Sequence, residues 1–135
     1  MRWVISLLIF LVPFVAQVGV GADAYWNDCG AASVSMLVEY YTGLTLCPDE
    51  LMAEIGRDRY LTAIDLANLM QEYGLVVQWG EGVPRIVLVG GNHWVVYLGN
   101  GVYHDPLRGP YQEGYLGDGL YVEEVVNSEL GLLCR

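Results

Sequence analysis

The chain contains no lysine. Its six basic residues are all arginine and stand against sixteen aspartates and glutamates, a formal net charge of −10 over 135 residues. A nucleic-acid partner needs a basic stripe to neutralise phosphates, and this set cannot build one. Histidine is scarcer still, with His93 and His104 alone. The three cysteines, Cys29, Cys47 and Cys134, have no CxxC spacing and lie far in sequence from both histidines. That arrangement argues against a structural zinc site, and no metal is expected. Internal repeats, low-complexity tracts and linkers are absent. The longest apolar run, Trp3 to Ala16, is broken by Ser6 and Pro13 and falls short of the roughly 20 residues a membrane span needs. No stable span is expected. What the chain has is apolar mass: 54% of its residues are hydrophobic and 12% are aromatic, which excludes a disordered chain and suits one domain with one core.

The first segment supports two readings. "MRWVISLLIFLVPFVAQ" has a basic start and an apolar centre, and Ala22-Asp23-Ala24 is a small-x-small cleavage pattern, as in a secretory signal. The same residues from about position 12 also read as an extended first strand with Pro13 at its edge. Domain boundaries are accordingly placed at 1–11 for an apolar N-terminal segment and 12–135 for a single domain. Secretion would permit a Cys47–Cys134 disulfide, which sequence cannot test for geometry.

Beyond the loop "VGVGADAYWND", a helix is predicted from about Cys29 to Thr42, with Asp28 or Asn27 as N-cap and Gly43 just past its end. Ala31, Val34, Leu37, Val38 and Tyr41 recur at helical spacing. "CPDELMAEIG" reads as a second, short helix and "AIDLANLMQEY" as a third, opened by Thr62 with Asp65 as capping-box partner and closed at Gly74. The period then changes to that of strands in "LVVQW", "RIVLV", "HWVVYL", "GVYHD" and "GLYVEEVV". Helices first and strands second predict an α+β fold, N-terminal helices packed on a C-terminal antiparallel sheet, with a cleft between the two.

Cys29 sits where that cleft would open. A thiol at a helix start is favoured as thiolate by the helix dipole, and an imidazole beside it adds to the effect. A third group should hold the imidazole by its other nitrogen, and Asp105 in "YHDPL" is a ready choice. The hairpin "NHWVVYLGNGVYHDPL" decides between the histidines. A three-residue loop at Gly99-Asn100-Gly101, or an equivalent bulge, pairs Tyr97 with Tyr103 and puts His93 and Asp105 on one face as diagonal neighbours. A two-residue Asn100-Gly101 turn with no bulge slips the register by one, and His93 then shares its face with His104 instead.

These motifs, "VPFVAQ", "NDCGAASVSMLVEYY", "DLANLMQEYGL", "NHWVVYLG" and "VYHDP" in that order, resemble the double-glycine-leader (bacteriocin-processing) peptidase-like family of bacterial papain-like cysteine peptidases. The resemblance runs from about Val12 to Val126. It implies a papain-like fold, Cys29 as nucleophile, His93 as general base, Asp105 as orienting carboxylate, and Gln17 with the Cys29 amide as oxyanion donors. It also favours a retained first strand, since cleavage after Ala24 would remove Gln17. Two departures stand out. Ala31 replaces a proline frequent in the family, and the segment between "QWGEG" and "NHWVV" is short, which puts substrate-binding residues in doubt. With no ATP-binding or membrane-spanning module in the sequence, the built-in leader peptidase of an export transporter is not the expected context.

The resulting expectation is a cysteine peptidase that hydrolyses a peptide or amide bond through a Cys29 thioester, needs no cofactor, and takes a peptide or protein as partner. The cytoplasm is somewhat favoured; a cleaved signal would mean secretion. Alternatives are a cell-wall peptide amidase of the same superfamily or a catalytically silent binding module. His104 is a surface or packing histidine and a fallback base; Trp26 and Asn27 are cleft or capping residues. Most aromatics, Trp79 and Trp94 included, are expected to pack on strands, and "LRGPYQEGYLGDG" to be a loop.

Overall fold

The computed structural model describes residues 29–47, 50–52 and 60–126. The first helix, α1 (Cys29–Thr42), ends as predicted at Gly43, which has φ 78° and returns its N–H to Glu39 O at 2.9 Å. All ten residues from Cys29 to Val38 are buried. A helix surrounded on every side has no room for large residues at its start, which accounts for the run Gly30, Ala31, Ala32, Ser33 after Cys29. Residues 50–52 are helical, with Leu51 and Met52 buried; the rest of that predicted short helix lies outside the described residues. The next helix, α2 (Ala63–Glu72), opens with the capping box expected of it. Thr62 Oγ1 accepts from the Asp65 N–H, and Asp65 Oδ2 accepts from the Thr62 N–H at 2.7 Å.

Six strands follow: β1 (Leu75–Gly80), β2 (Arg85–Val89), β3 (His93–Gly99), β4 (Val102–Asp105), β5 (Gly109–Gln112) and β6 (Gly119–Val125). They form one sheet in the order β1-β6-β2-β3-β4-β5, antiparallel throughout. β6 inserts between β1 and β2, so the chain after β5 crosses back over the sheet. Side-chain alternation divides the sheet into two faces. Ile86, Trp94, Val96 and Leu120 pack with Val34, Leu37, Leu66 and Met70 of the helices in the main core. Val87, Val95 and Tyr103 form a smaller cluster on the opposite face, flanked by Tyr97, Tyr111 and Leu116.

One strand was not legible. β5 lies inside the stretch read as loop, where Pro110 and four glycines hide it. As the last strand of the sheet it leaves one edge unpaired, and an edge strand tolerates a residue with no N–H. The hairpin between β3 and β4 realises parts of both sequence readings. Asn100 and Gly101 make the two-residue turn, with φ of 55° and 76° as a type I′ turn requires. A bulge between Tyr97 and Gly99 then absorbs one residue, so Tyr97 faces Tyr103 and Val96 faces His104. The register is the one that aligns His93 with Asp105.

Candidate active site

Cys29 is the first residue of α1, His93 the first of β3, and Asp105 the last of β4. The sheet and helix therefore meet at the ends of three elements. Among the described residues Cys29 is the free cysteine, while Cys47 is disulfide-bonded; Cys134, the partner considered above, lies outside the described residues. Gln17, Trp26, Asn27 and the competing readings of residues 1–24 also lie outside them.

His93 Nε2 and Asp105 Oδ2 are 2.8 Å apart. The other carboxylate oxygen, Oδ1, accepts the Leu107 N–H at 2.8 Å, an Asx-type turn at Asp105-Pro106-Leu107 that locks the carboxylate plane. Because Nε2 is occupied, Nδ1 is the nitrogen left for the thiol. The Asp105 carboxylate first, and Cys29 second, push the His93 imidazole up from its ordinary 6.5 to about 9, although burial acts the other way. The ring thus holds a proton more tightly than a free imidazole does. Burial alone would raise the Asp105 carboxyl, but the bonds from His93 and Leu107 outweigh it and hold the group below its usual range.

His104 does not join them. It points with Val96 to the main-core face, away from His93, is fully buried, and burial pushes its imidazole down to about 4. Of the roles left open for it, packing is the one observed, since it is not at the surface.

Two residues that sequence reading passed over build the site. The Trp94 N–H donates to Cys29 Sγ at 3.3 Å, and its indole N–H donates to Leu61 O at 2.9 Å. One residue thereby ties the start of β3 to the starts of both helices. Gly30 makes that approach possible. A Cβ there would lie 3.0 Å from Leu66 Cδ2, 3.2 Å from Trp94 Cδ1 and 3.3 Å from Leu61 Cδ1. The signal was the glycine directly after the cysteine in "NDCGAAS", unusual inside a helix where it costs about 1 kcal/mol against alanine.

The arrangement brings a sulfur, an imidazole and a carboxylate together, the carboxylate bonded to the ring and the sulfur acting on the same ring. No group of three or more metal-ligating side chains occurs among the described residues, and no described helix is long and apolar enough to cross a membrane.

No family model matches the chain, and no curated protein matches it significantly. Among solved structures it is similar to a double glycine motif protease from an AMS/PCAT transporter, crystallised in complex with the leader peptide. The two share 25% of their sequence at a TM-score of 0.58, over 70% of this chain and 82% of the other. Helices on a six-stranded antiparallel sheet are therefore the papain-like α+β fold of that protease. Its kind supports a hydrolase of the peptidase class for this chain.

Proposed function

We propose that the protein is a cysteine peptidase in which Cys29 is the nucleophile, His93 the proton carrier and Asp105 the residue that orients it. The observation that carries the reading is the His93–Asp105 bond of 2.8 Å with Cys29 as the second partner of the same ring. Proton transfer from Cys29 to His93 leaves a sulfur facing the imidazolium, the Trp94 N–H and the start of α1, all of which favour negative charge. The sulfur attacks the carbonyl carbon of a peptide or amide bond. The oxyanion is received by the Cys29 N–H and, as the family resemblance implies, by the Gln17 side-chain amide. His93 then protonates the leaving amine, and a thioester remains on Cys29. Water, deprotonated by His93, hydrolyses the thioester and restores the thiol. Asp105 stays ionised and holds the ring through Nε2 in every step.

A peptide substrate is supported by the similar protease, which was captured with the leader peptide. Residues 12–135 would form the peptidase domain.

The test begins with Cys29 itself, which is only 1% exposed and so calls for a small electrophile. Iodoacetamide labelling at about pH 6, mapped by mass spectrometry, is expected to modify Cys29 at least about tenfold faster in wild type than in His93→Ala. Equal rates in the two proteins would remove the nucleophile reading.

A further inference from the structure

The exposed side of His93 opens onto a pocket of about 210 Å³ lined by Asn92, His93, Leu107 and Arg108. Leu107 and Arg108 belong to the turn that follows Asp105. The Leu107 N–H binds Asp105 Oδ1, and the Arg108 N–H binds Asp105 O at 3.2 Å. The turn that orients the partner of His93 thus also fixes where these two side chains leave the backbone.

Arg108 is exposed, and its guanidinium has no hydrogen bond or ion pair among the described residues. The Arg108 charge helps to hold the Asp105 carboxyl down, but both oxygens of Asp105 are bonded to His93 and Leu107, so no direct ion pair consumes the arginine. The described residues contain one other arginine, Arg85, and that one is buried, bonded to Glu81 O, Gly82 O and Gly117 O. Arg108 is therefore the exposed arginine of a described surface that carries Glu81, Glu113, Glu123 and Glu124. Solubility in so acidic a chain is already supplied by its carboxylates. Their repulsion of an anion is screened beyond about 8 Å at physiological salt, whereas a guanidinium in direct contact is not. Beside it, Leu107, 40% exposed, offers an aliphatic wall.

We propose that Arg108 is a specificity residue that binds a substrate carboxylate beside the scissile bond, with Leu107 covering the aliphatic stem that carries it. The inference rests on Cys29 and His93 being the reacting pair. The carboxylate belongs either to an acidic side chain or to a free C-terminus. Arginine suits both, because its planar fork takes two carboxylate oxygens at once.

Matched alkylating probes separate these sources without a known substrate. N-iodoacetyl-glutamate α-amide against N-iodoacetyl-glutamine α-amide differs only in side-chain charge. N-iodoacetyl-alanine against its amide differs only in the terminal charge. In wild type, the anionic member of at least one pair is expected to modify Cys29 about tenfold faster than its neutral partner. In Arg108→Gln that advantage should fall below about twofold, each probe's rate being taken relative to that of plain iodoacetamide on the same protein. The pair that shows the effect names the source. A neutral preference in both pairs, or an anionic preference that survives Arg108→Gln, overturns the proposal while leaving the nucleophile reading intact. If iodoacetamide labelling is itself indifferent to His93→Ala, the nucleophile reading fails and this proposal falls with it.

Discussion

Asp105 divides its two oxygens between a side chain and a backbone, Oδ2 to His93 and Oδ1 to the Leu107 N–H. This division makes the carboxylate an orienting group, since rotation about its own bond would break one contact or the other. It also sets the charge of His93. In an NMR titration the His93 ring is expected to titrate near the raised value of about 9, and to fall toward its ordinary 6.5 in Asp105→Asn, which keeps the shape and removes the charge. His104, pushed down to about 4 by burial, should stay where it is in both proteins and serves as the internal control. A His93 ring that still titrates near 9 in the variant would place the cause elsewhere.

At the scale of elements, the start of α1 is where the site is won by close packing. A Cβ at Gly30 would press on Leu66 of α2, on Leu61 just before that helix and on Trp94 of β3, and each of these three is buried. Gly30→Ala gains about 1 kcal/mol of helix propensity, but overpacking at such contacts costs about 1–3 kcal/mol. Packing should win: the variant is expected to lose roughly 1 kcal/mol in urea unfolding and to label more slowly at Cys29, as the Trp94 N–H is levered off the sulfur. A higher urea midpoint would mean that the three side chains give way instead. The β3–β4 hairpin contributes the other half of the alignment. Its bulge is one residue, yet parity makes that residue decide whether His93 meets Asp105 or the wrong face of the sheet.

For the molecule as a whole, the His93–Asp105 pair makes stability depend on pH. His93 has a raised folded pKa, so its stabilisation is full below 6.5 and is lost as pH rises through about 9. Asp105 has a depressed one, so its stabilisation is full above 3.8 and is lost as pH falls through the lower folded value. The same interaction underlies both, and it is greatest between those limits, on the order of 2–3 kcal/mol. Measured as the difference in unfolding free energy between wild type and Asp105→Asn, it should be flat from about pH 4 to 6.5 and shrink steadily by pH 9. Taking the difference cancels the self-repulsion of a chain at net −10. A difference that grows above pH 7 would contradict the ion pair.

The sequence by itself determined the local structure and the residue types of the site. Helical spacing after Cys29, the Thr62–Asp65 capping box and the strand periods beyond Gly74 all act between near neighbours, where the chain carries its own instructions. It left the hairpin open between two registers, because "GNG" satisfies the turn chemistry of both. Only the tertiary structure decided that Asn100-Gly101 turns while a bulge beside Gly99 restores the pairing, since the choice depends on which face the whole sheet buries. The same holds for β5, a strand by virtue of the edge it occupies, and for Trp94 and Gly30, whose contacts with Leu61 and Leu66 join segments more than thirty residues apart. Such contacts leave no period in the chain. They exist because packing in three dimensions brings a sulfur, a ring and a carboxylate to the ends of three different elements.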